Sequence, residues 1–316
     1  MNAANSENNY KQCLAVQGGK TLTIDGIDWY EYRGFLIPAY LPHCIPVINE
    51  HNAKQAAHCA GKLLARWDSC FGQVTNTEWW HIVKEGTWSL EHCSQKTKYG
   101  IRRGQKKFNA RIMSFEEILQ HGYAVCEQAV KQYGVTGELP SRERFEKKVQ
   151  AAQTTGCLEF FGVFCGTTLV GFAENYVQGN ACLWESIYYH PDYLRDYSGY
   201  ALIDSMLDHY LNNMRMLYVS DGCRSIYHQT NIQNHLIKNY NFTKKYSLLQ
   251  IYYTPLMRVS INSLYLFRHG INLICAKYPQ SFILQIGGLM QQEYMRRSCE
   301  FRDVIPDDHN QNHSST

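Results

Sequence analysis

Between Leu158 and Tyr189 three β-prone runs follow one another with turns so short that each strand must return beside the last. Leu158 to Phe164 is apolar apart from Glu159, Cys165-Gly166-Thr167 turns the chain, and Leu169 to Tyr176 runs back. Gln178-Gly179-Asn180 makes the next turn, and the third run, Ala181 to Tyr189, stops before Pro191. A meander of this kind needs partners on both faces, and the flanking sequence offers them. Upstream, Phe108 to Met113 alternates as a strand does, and Ser114 with Glu117 has the spacing of a capping box. The helix it opens carries an apolar stripe (Ile118, Leu119, Tyr123, Ala124, Cys126, Val130) up to Gly134, and a second helix fits Ser141 to Gln153. Downstream, Asp196 to Ala201 leads into a helix reaching about Met214, followed by a short apolar strand, Met216 to Ser220. Asp221-Gly222 reads as a turn, Thr230 or Asn231 as the cap of a helix through Lys238, and Tyr246 to Tyr253 as the final strand.

The rest of the chain is organised around this core. Residues 1–95 form an aromatic-rich region or subdomain, with Trp29, Tyr30, Tyr32, Phe35, Tyr40 and Trp79-Trp80, and one helical stretch from Ala53 to Trp67. The core is expected over 96–256 and a C-terminal helical extension over 257–302, with one or two amphipathic helices between Leu264 and Arg297. The polar stretch 303–316 reads as a disordered tail. Lys and Arg total 31 against 28 Asp and Glu, a net charge of +3, which argues against a dedicated nucleic-acid binder. No apolar run reaches the roughly 18 residues of a membrane span, and the polar N-terminus lacks a signal-peptide core, so the expected location is cytoplasmic. The twelve cysteines contain no Cys-x-x-Cys pair and read as reduced thiols. Cys44, His51, His58 and Cys59 lack the paired spacing of a zinc site, so no metal is expected. Trp79, Trp80 and Trp88 read as core anchors, with a sugar-stacking platform as the alternative.

The element order from Phe108 to Tyr253 resembles the GNAT superfamily of acyl-CoA N-acyltransferases. That resemblance implies an α/β (α+β) fold with a mixed, mainly antiparallel sheet flanked by helices. The long N-terminal part, joined through the basic stretch Ile101 to Lys107, resembles Fem-type (FemAB-like) transferases. GNAT proteins carry a Gln/Arg-x-x-Gly-x-Gly/Ala turn after the third meander strand. Here Gly199 and Ala201 take the small positions, and Asp196 stands where the Gln or Arg would be. Small residues at a helix start let bare N–H groups approach a diphosphate. Ser198, Gly199, Tyr200 and Ala201 are therefore the cofactor-binding candidates, with Arg195 as the missing cation and Asn231 at the next helix start. The same stretch also reads as a plain helix cap.

Chemistry in the family needs a group that takes a proton from the amine. Glu185 is the sole acid on its strand, and burial among apolar neighbours would raise its proton affinity toward that of a useful base. Alternation places Leu183, Glu185 and Ile187 on one face and Trp184, Ser186 and Tyr188 on the other. A second polar cluster, Asp221, Arg224, Ser225, His228 and Asn231, follows the next strand, where open α/β sheets bind ligands. His228 oriented by Asp221 is a second acid–base candidate, while Arg224, Ser225 and Trp184 are candidates for holding the acceptor. The tyrosine that many relatives use to protonate the leaving thiolate is replaced by Ile237.

The expected reaction moves an acyl group from acetyl-CoA or another acyl-CoA to a small amine, amino-sugar or peptide, by direct attack in a ternary complex. Two alternatives stand beside it. One is Fem-like transfer from aminoacyl-tRNA, for which the six Lys and Arg between Lys96 and Lys107 would meet phosphates. The other is a catalytically silent GNAT fold that only binds.

Overall fold

The computed structural model describes residues 9–16, 18–133, 139–226, 231–277 and 282–299. Helix α1 (Asn9–Val16) precedes strands β1 (Thr21–Ile24), β2 (Ile27–Tyr32) and β3 (Phe35–Pro38), helix α2 (Glu50–Cys59) and strand β4 (Leu64–Ser69). Strand β5 (Trp80–Glu85) is followed by α3 (Gln95–Lys107), β6 (Asn109–Ile112), α4 (Phe115–Tyr133) and α5 (Arg142–Thr155). The meander is β7 (Leu158–Cys165), β8 (Thr168–Gln178) and β9 (Ala181–Tyr189). Short α6 (Pro191–Leu194) leads to α7 (Ser198–Leu207), which runs on as a π-helical turn over Asp208–Asn213. The chain ends in β10 (Tyr218–Cys223), α8 (Asn231–Tyr240), β11 (Thr243–Tyr246), β12 (Leu248–Tyr253), α9 (Pro255–Tyr265), α10 (Arg268–Lys277) and α11 (Phe282–Cys299).

Two compact units result. The first combines the residues up to Gly19 with Ile82–Gly222 and Asn231–Thr243; the second combines Lys20–His81, Cys223–Thr230 and the chain from Lys244 onward. This division differs from the expected boundaries, because the N-terminal strands and C-terminal helices assort together. The cause is a strand pair: β12 runs antiparallel to β4 from Leu248 opposite Ser69 to Tyr253 opposite Leu64.

In the first unit the sheet order is β5-β10-β9-β8-β7-β6. β6, β7, β8 and β9 pair antiparallel, whereas β10 lies parallel to β9, so the sheet is mixed and mainly antiparallel, with helices around it. The elements form for the reasons their residues supply. Ser114 Oγ accepts from the Glu117 N–H at 3.2 Å and Glu117 accepts from the Ser114 N–H at 2.9 Å, closing the capping box of α4. Ser141 caps α5 by accepting from the Arg144 N–H, and Gly156, at φ 63°, ends it in a left-handed turn. Successive β8 residues face opposite layers: Glu174 meets Lys148 of α5, and Asn175 meets Met206 of α7.

In the second unit the sheet order is β1-β2-β3-β4-β12. Helix α2 seats Ala53, Ala56 and Ala57 against Trp29, Leu36 and Trp67, and α9 and α11 bring Ile261 and Met290 against Phe35, Leu64 and Tyr253. Trp79 and Trp88 are buried, as core anchors are.

Several expectations are corrected. The helix expected over Ala53 to Trp67 stops at Cys59, and the remainder becomes β4, because Gly61 (φ 62°) breaks the helix after Ala60. Asp221-Gly222 lies inside β10 and is not a turn beyond it. The two helices expected between Leu264 and Arg297 are present as α10 and α11, whereas α9, before them, was not anticipated. Cys13 and Cys157 form a disulfide, so not every cysteine is a free thiol. Gly134, His228, Thr230 and the tail 303–316 lie outside the described residues.

Candidate functional site

The site is built on an irregularity in the meander. β8 and β9 stay in register from Gly171 opposite Tyr189 to Glu174 opposite Ser186, but the next pair is Asn175 opposite Trp184. Glu185 is therefore an extra residue, a β-bulge. Bulges bend a strand and re-aim a side chain, and they concentrate beside active sites. The strict alternation expected for β9 is broken as a result: Glu185 and Tyr188 line the same crevice, of about 420 Å³. Trp184 is turned into the core, 3% exposed and packed against Phe242 at 5.5 Å between ring centres, so it is a packing residue and not an acceptor contact.

The crevice gathers one cation between two carboxylates. Lys148 Nζ lies 2.6 Å from Glu174, whose side chain is 3% exposed, and 3.8 Å from Glu185, whose side chain is 31% exposed. Although Glu185 reaches solvent at the mouth, desolvation by the surrounding protein lifts its pKa; Lys148 opposes that shift and Glu174 adds to it. Burial works to discharge Lys148, but the two carboxylates outweigh it and hold the ammonium more firmly charged than usual. Burial, with Glu174 assisting, raises Tyr188 and keeps its hydroxyl neutral. The arrangement is a carboxylate of raised proton affinity, open to a ligand and seated beside a fixed cation. Leu14, Gly18 and Gly19 form part of the rim, on a segment that the Cys13–Cys157 disulfide ties to the start of β7.

The expected diphosphate bend is more covered than its sequence implied. α3 packs across the first turn of α7 through Gly100 and Gly104: a Cβ on Gly104 would stand 2.5 Å from the Tyr197 carbonyl oxygen and 3.2 Å from the Ala201 nitrogen. Ser198 is fully buried and Ala201 nearly so, while Gly199 and Tyr200 remain half-buried. The Tyr200 and Ala201 N–H groups both donate to the Tyr197 carbonyl. Ser198 Oγ is buried without a hydrogen-bond partner, so the turn retains one unsatisfied polar group. The open side of the bend is that of Gly199 and Tyr200. Arg195 is exposed at the end of α6, and its neighbour Asp196 is ion-paired with Lys107 of α3.

The remaining candidates scatter. The β9–β10 ladder ends at Leu183 opposite Ser220, so Asp221 sits just past the point where the strands stop pairing. Burial pushes its carboxyl up to about 7, opposed by a hydrogen bond with Gln233 of α8. Asp221 thus serves α8, whereas Glu185 faces α5. Arg224 and Ser225 belong to the second unit, where Arg224 is ion-paired with Glu78 and also donates to its carbonyl at 2.9 Å. Asn231 is exposed at the first turn of α8. His228 lies outside the described residues.

Lys148 and Glu174 were not anticipated. A carboxylate inside Leu169 to Tyr176, a run whose other residues apart from Asn175 and Tyr176 are apolar, was the available signal, because a buried acid demands a buried cation. The basic stretch also proves to be a two-sided helix. Lys98 is buried and paired with Glu91 at 2.9 Å, while Lys96, Arg102, Arg103 and Lys106 point outward.

Residues 95–219 match the family model described as an acetyltransferase (GNAT) domain. No curated protein matches the chain. Among solved structures, FemX aligns with a TM-score of 0.57 at 9% identity, over 79% of this chain and 92% of that one, a likeness of fold. L-PGS from Bacillus licheniformis aligns at 0.47 and 13% identity over 77% and 87%, respectively. The C-terminal domain of a putative lysylphosphatidylglycerol synthetase from Agrobacterium fabrum aligns at 0.45 and 10% over 69% and 73%.

Proposed function

We propose that this chain, whose residues 95–219 match the family model of a GNAT acetyltransferase domain, is an N-acyltransferase that carries an acyl group from acyl-CoA to an amine. The observation that carries the reading is Glu185, bulged out of β9 into a crevice with its proton affinity raised. An amine entering the crevice arrives protonated and must lose a proton before its lone pair can attack. Glu185 takes that proton, and its raised pKa brings it closer to the working pH of a base. The nitrogen then attacks the thioester carbonyl; the new C–N bond forms as the C–S bond breaks, the thiolate leaves, and the second proton shed by the nitrogen passes to water. With Ile237 in the place of the usual tyrosine, water is the proton source for the thiolate. Lys148 keeps Glu185 from becoming too basic to ionise, and Glu174 holds Lys148 in place. Asp221, expected to orient His228, is a second carboxyl of raised proton affinity in the unit.

A thermal-shift screen with a panel of acyl-CoA thioesters tests the donor without knowledge of the acceptor. A saturable rise in melting temperature, with amine-dependent thiol release that Glu185→Gln abolishes, is the expected result.

The second reading, Fem-like transfer from aminoacyl-tRNA, draws on the covered bend of α7 and the outward-facing cations of α3. Here the acyl-CoA panel gives no shift, and charged tRNA loses its amino acid in a reaction that added salt suppresses. Binding of either donor without turnover would leave the silent fold.

A further inference from the structure

The C-terminal helices of the second unit are apolar on their outer as well as their inner side. Inward, Met257, Ile261 and Tyr265 of α9 join the cluster around Phe35, Leu64 and Tyr253. Outward, Leu256 is 78% exposed, Val259 65%, Leu266 75%, Phe267 68% and Leu273 75%. Leu266 and Leu273 are seven residues apart, as are Phe267 and the exposed Ile274, so this set lies along one face of α10 and the turn that leads into it. Single exposed leucines are ordinary, but so many large apolar side chains within nineteen residues mark a surface that meets something.

The charge of the same stretch selects the partner. From Thr254 to Gln292 the sequence contains no Asp or Glu, while it holds Arg258, Arg268, His269 and Lys277. Arg258 is answered by Glu50 of α2 at 2.7 Å. The Arg268 guanidinium lies over the Tyr265 ring at 4.6 Å, an arrangement that leaves its charge in place. Apolar side chains beside cations without acids are the composition of helices that lie in a bilayer interface. Among the described residues no helix is long and apolar enough to cross a membrane. α9 has 11 residues and α10 has 10. At 1.5 Å per residue each is about half the hydrocarbon thickness of a bilayer.

We propose that Pro255–Lys277 docks this protein on an anionic lipid surface, with Leu256, Val259, Leu266, Phe267 and Leu273 entering the headgroup layer and Arg268 meeting lipid phosphates. The inference is independent of the reaction proposed above.

The test is sedimentation of the full chain with vesicles of phosphatidylcholine alone and of phosphatidylcholine mixed with phosphatidylglycerol. The expected result is binding at least about tenfold stronger to the mixed vesicles, weakening as salt is added. Leu266→Glu with Phe267→Glu is expected to abolish binding at unchanged melting temperature, both positions being exposed. Arg268→Gln is expected to reduce the preference for phosphatidylglycerol. Absence of binding to either vesicle overturns the proposal, as does binding that Leu266→Glu with Phe267→Glu leaves intact. A lipid-free dimer that this double variant dissolves also overturns it, since a second copy would then be the occupant.

Discussion

Both units bury carboxylates, and they treat them in opposite ways. In the second unit Glu293 is 1% exposed, yet it accepts from Tyr253, Arg296 and Arg297 at 2.7–3.0 Å. Burial works to raise its pKa, and the two guanidiniums more than offset it, leaving the carboxylate more acidic than usual. Asp68 follows the same pattern: burial is overcome by His81 at 3.3 Å, Arg66 and the Trp79 indole N–H. At three carboxylates of the first unit burial prevails. Glu185 and Asp221 are both raised, each with a single opposing partner. Asp204 lies between these cases, raised by burial although Trp88 and Gln105 donate to it at 2.9 and 2.7 Å. A carboxylate whose desolvation is fully compensated contributes to the fold; one left under-compensated at the mouth of a crevice is available for proton transfer.

The comparison breaks most readily at Glu185. Glu185→Gln is expected to lower kcat/KM by about 10²–10⁴-fold, the usual reach of a general base, with little change in melting temperature. In the wild type, kcat/KM is expected to rise with pH through a midpoint above the ordinary carboxylate range, because the base works only when ionised. An active Glu185→Gln enzyme would reduce the difference between the units to one of packing. Lys148→Met comes next. It leaves Glu174 buried and unpaired, so urea unfolding is expected to show a loss of about 3–5 kcal/mol. Lys148 also lowers the Glu185 pKa, so any surviving activity should have its acid limb moved to higher pH.

Glu293→Gln tests the opposite side. The carboxylate makes charge-assisted hydrogen bonds, and its loss is expected to cost about 2–3 kcal/mol in urea unfolding at neutral pH. Because the folded-state pKa is depressed, this stabilisation is present above the unfolded value and lost as pH falls through the folded one. The gap between wild type and variant should therefore close in acid. A gap that stays constant with pH would mean that Glu293 contributes shape and not charge.

How far these features could be read from sequence depended on how local their causes are. The meander and the Ser114–Glu117 cap were legible, since short turns and a three-residue spacing act within a few residues. Strand β4 of the second unit was not: it forms because β12, far along the chain, pairs with it, and Leu64-Ala65-Arg66-Trp67 continues a helical spacing just as well. In the site, Glu185 was legible as the one acid on its strand. Trp184 was misassigned because a bulge cancels alternation at the very residue that matters. Lys148 was invisible because its partners sit on β8 and β9. The cover over α7 had a sequence trace in Gly100 and Gly104, four apart on one helix face, a spacing that permits close approach of another backbone.

The smallest expected effect is at Asp221, and it sets the sign of the comparison. Its carboxyl is raised to about 7, so between the unfolded value and that point the native state holds a proton that the unfolded chain has released. Stability from this group falls as pH rises through that window. Asp221→Asn removes the penalty, and the variant should be the more stable protein near neutrality and above, by about 1–2 kcal/mol once partial exposure is allowed for. The gain should vanish in acid, where both states are protonated. Glu293→Gln and Asp221→Asn thus move stability in opposite directions at neutral pH, and both differences close as pH falls. If Asp221→Asn instead destabilises the chain at high pH, its bond with Gln233 outweighs burial. Asp221 then belongs with Glu293 and Asp68, leaving Glu185 as the carboxylate poised for chemistry.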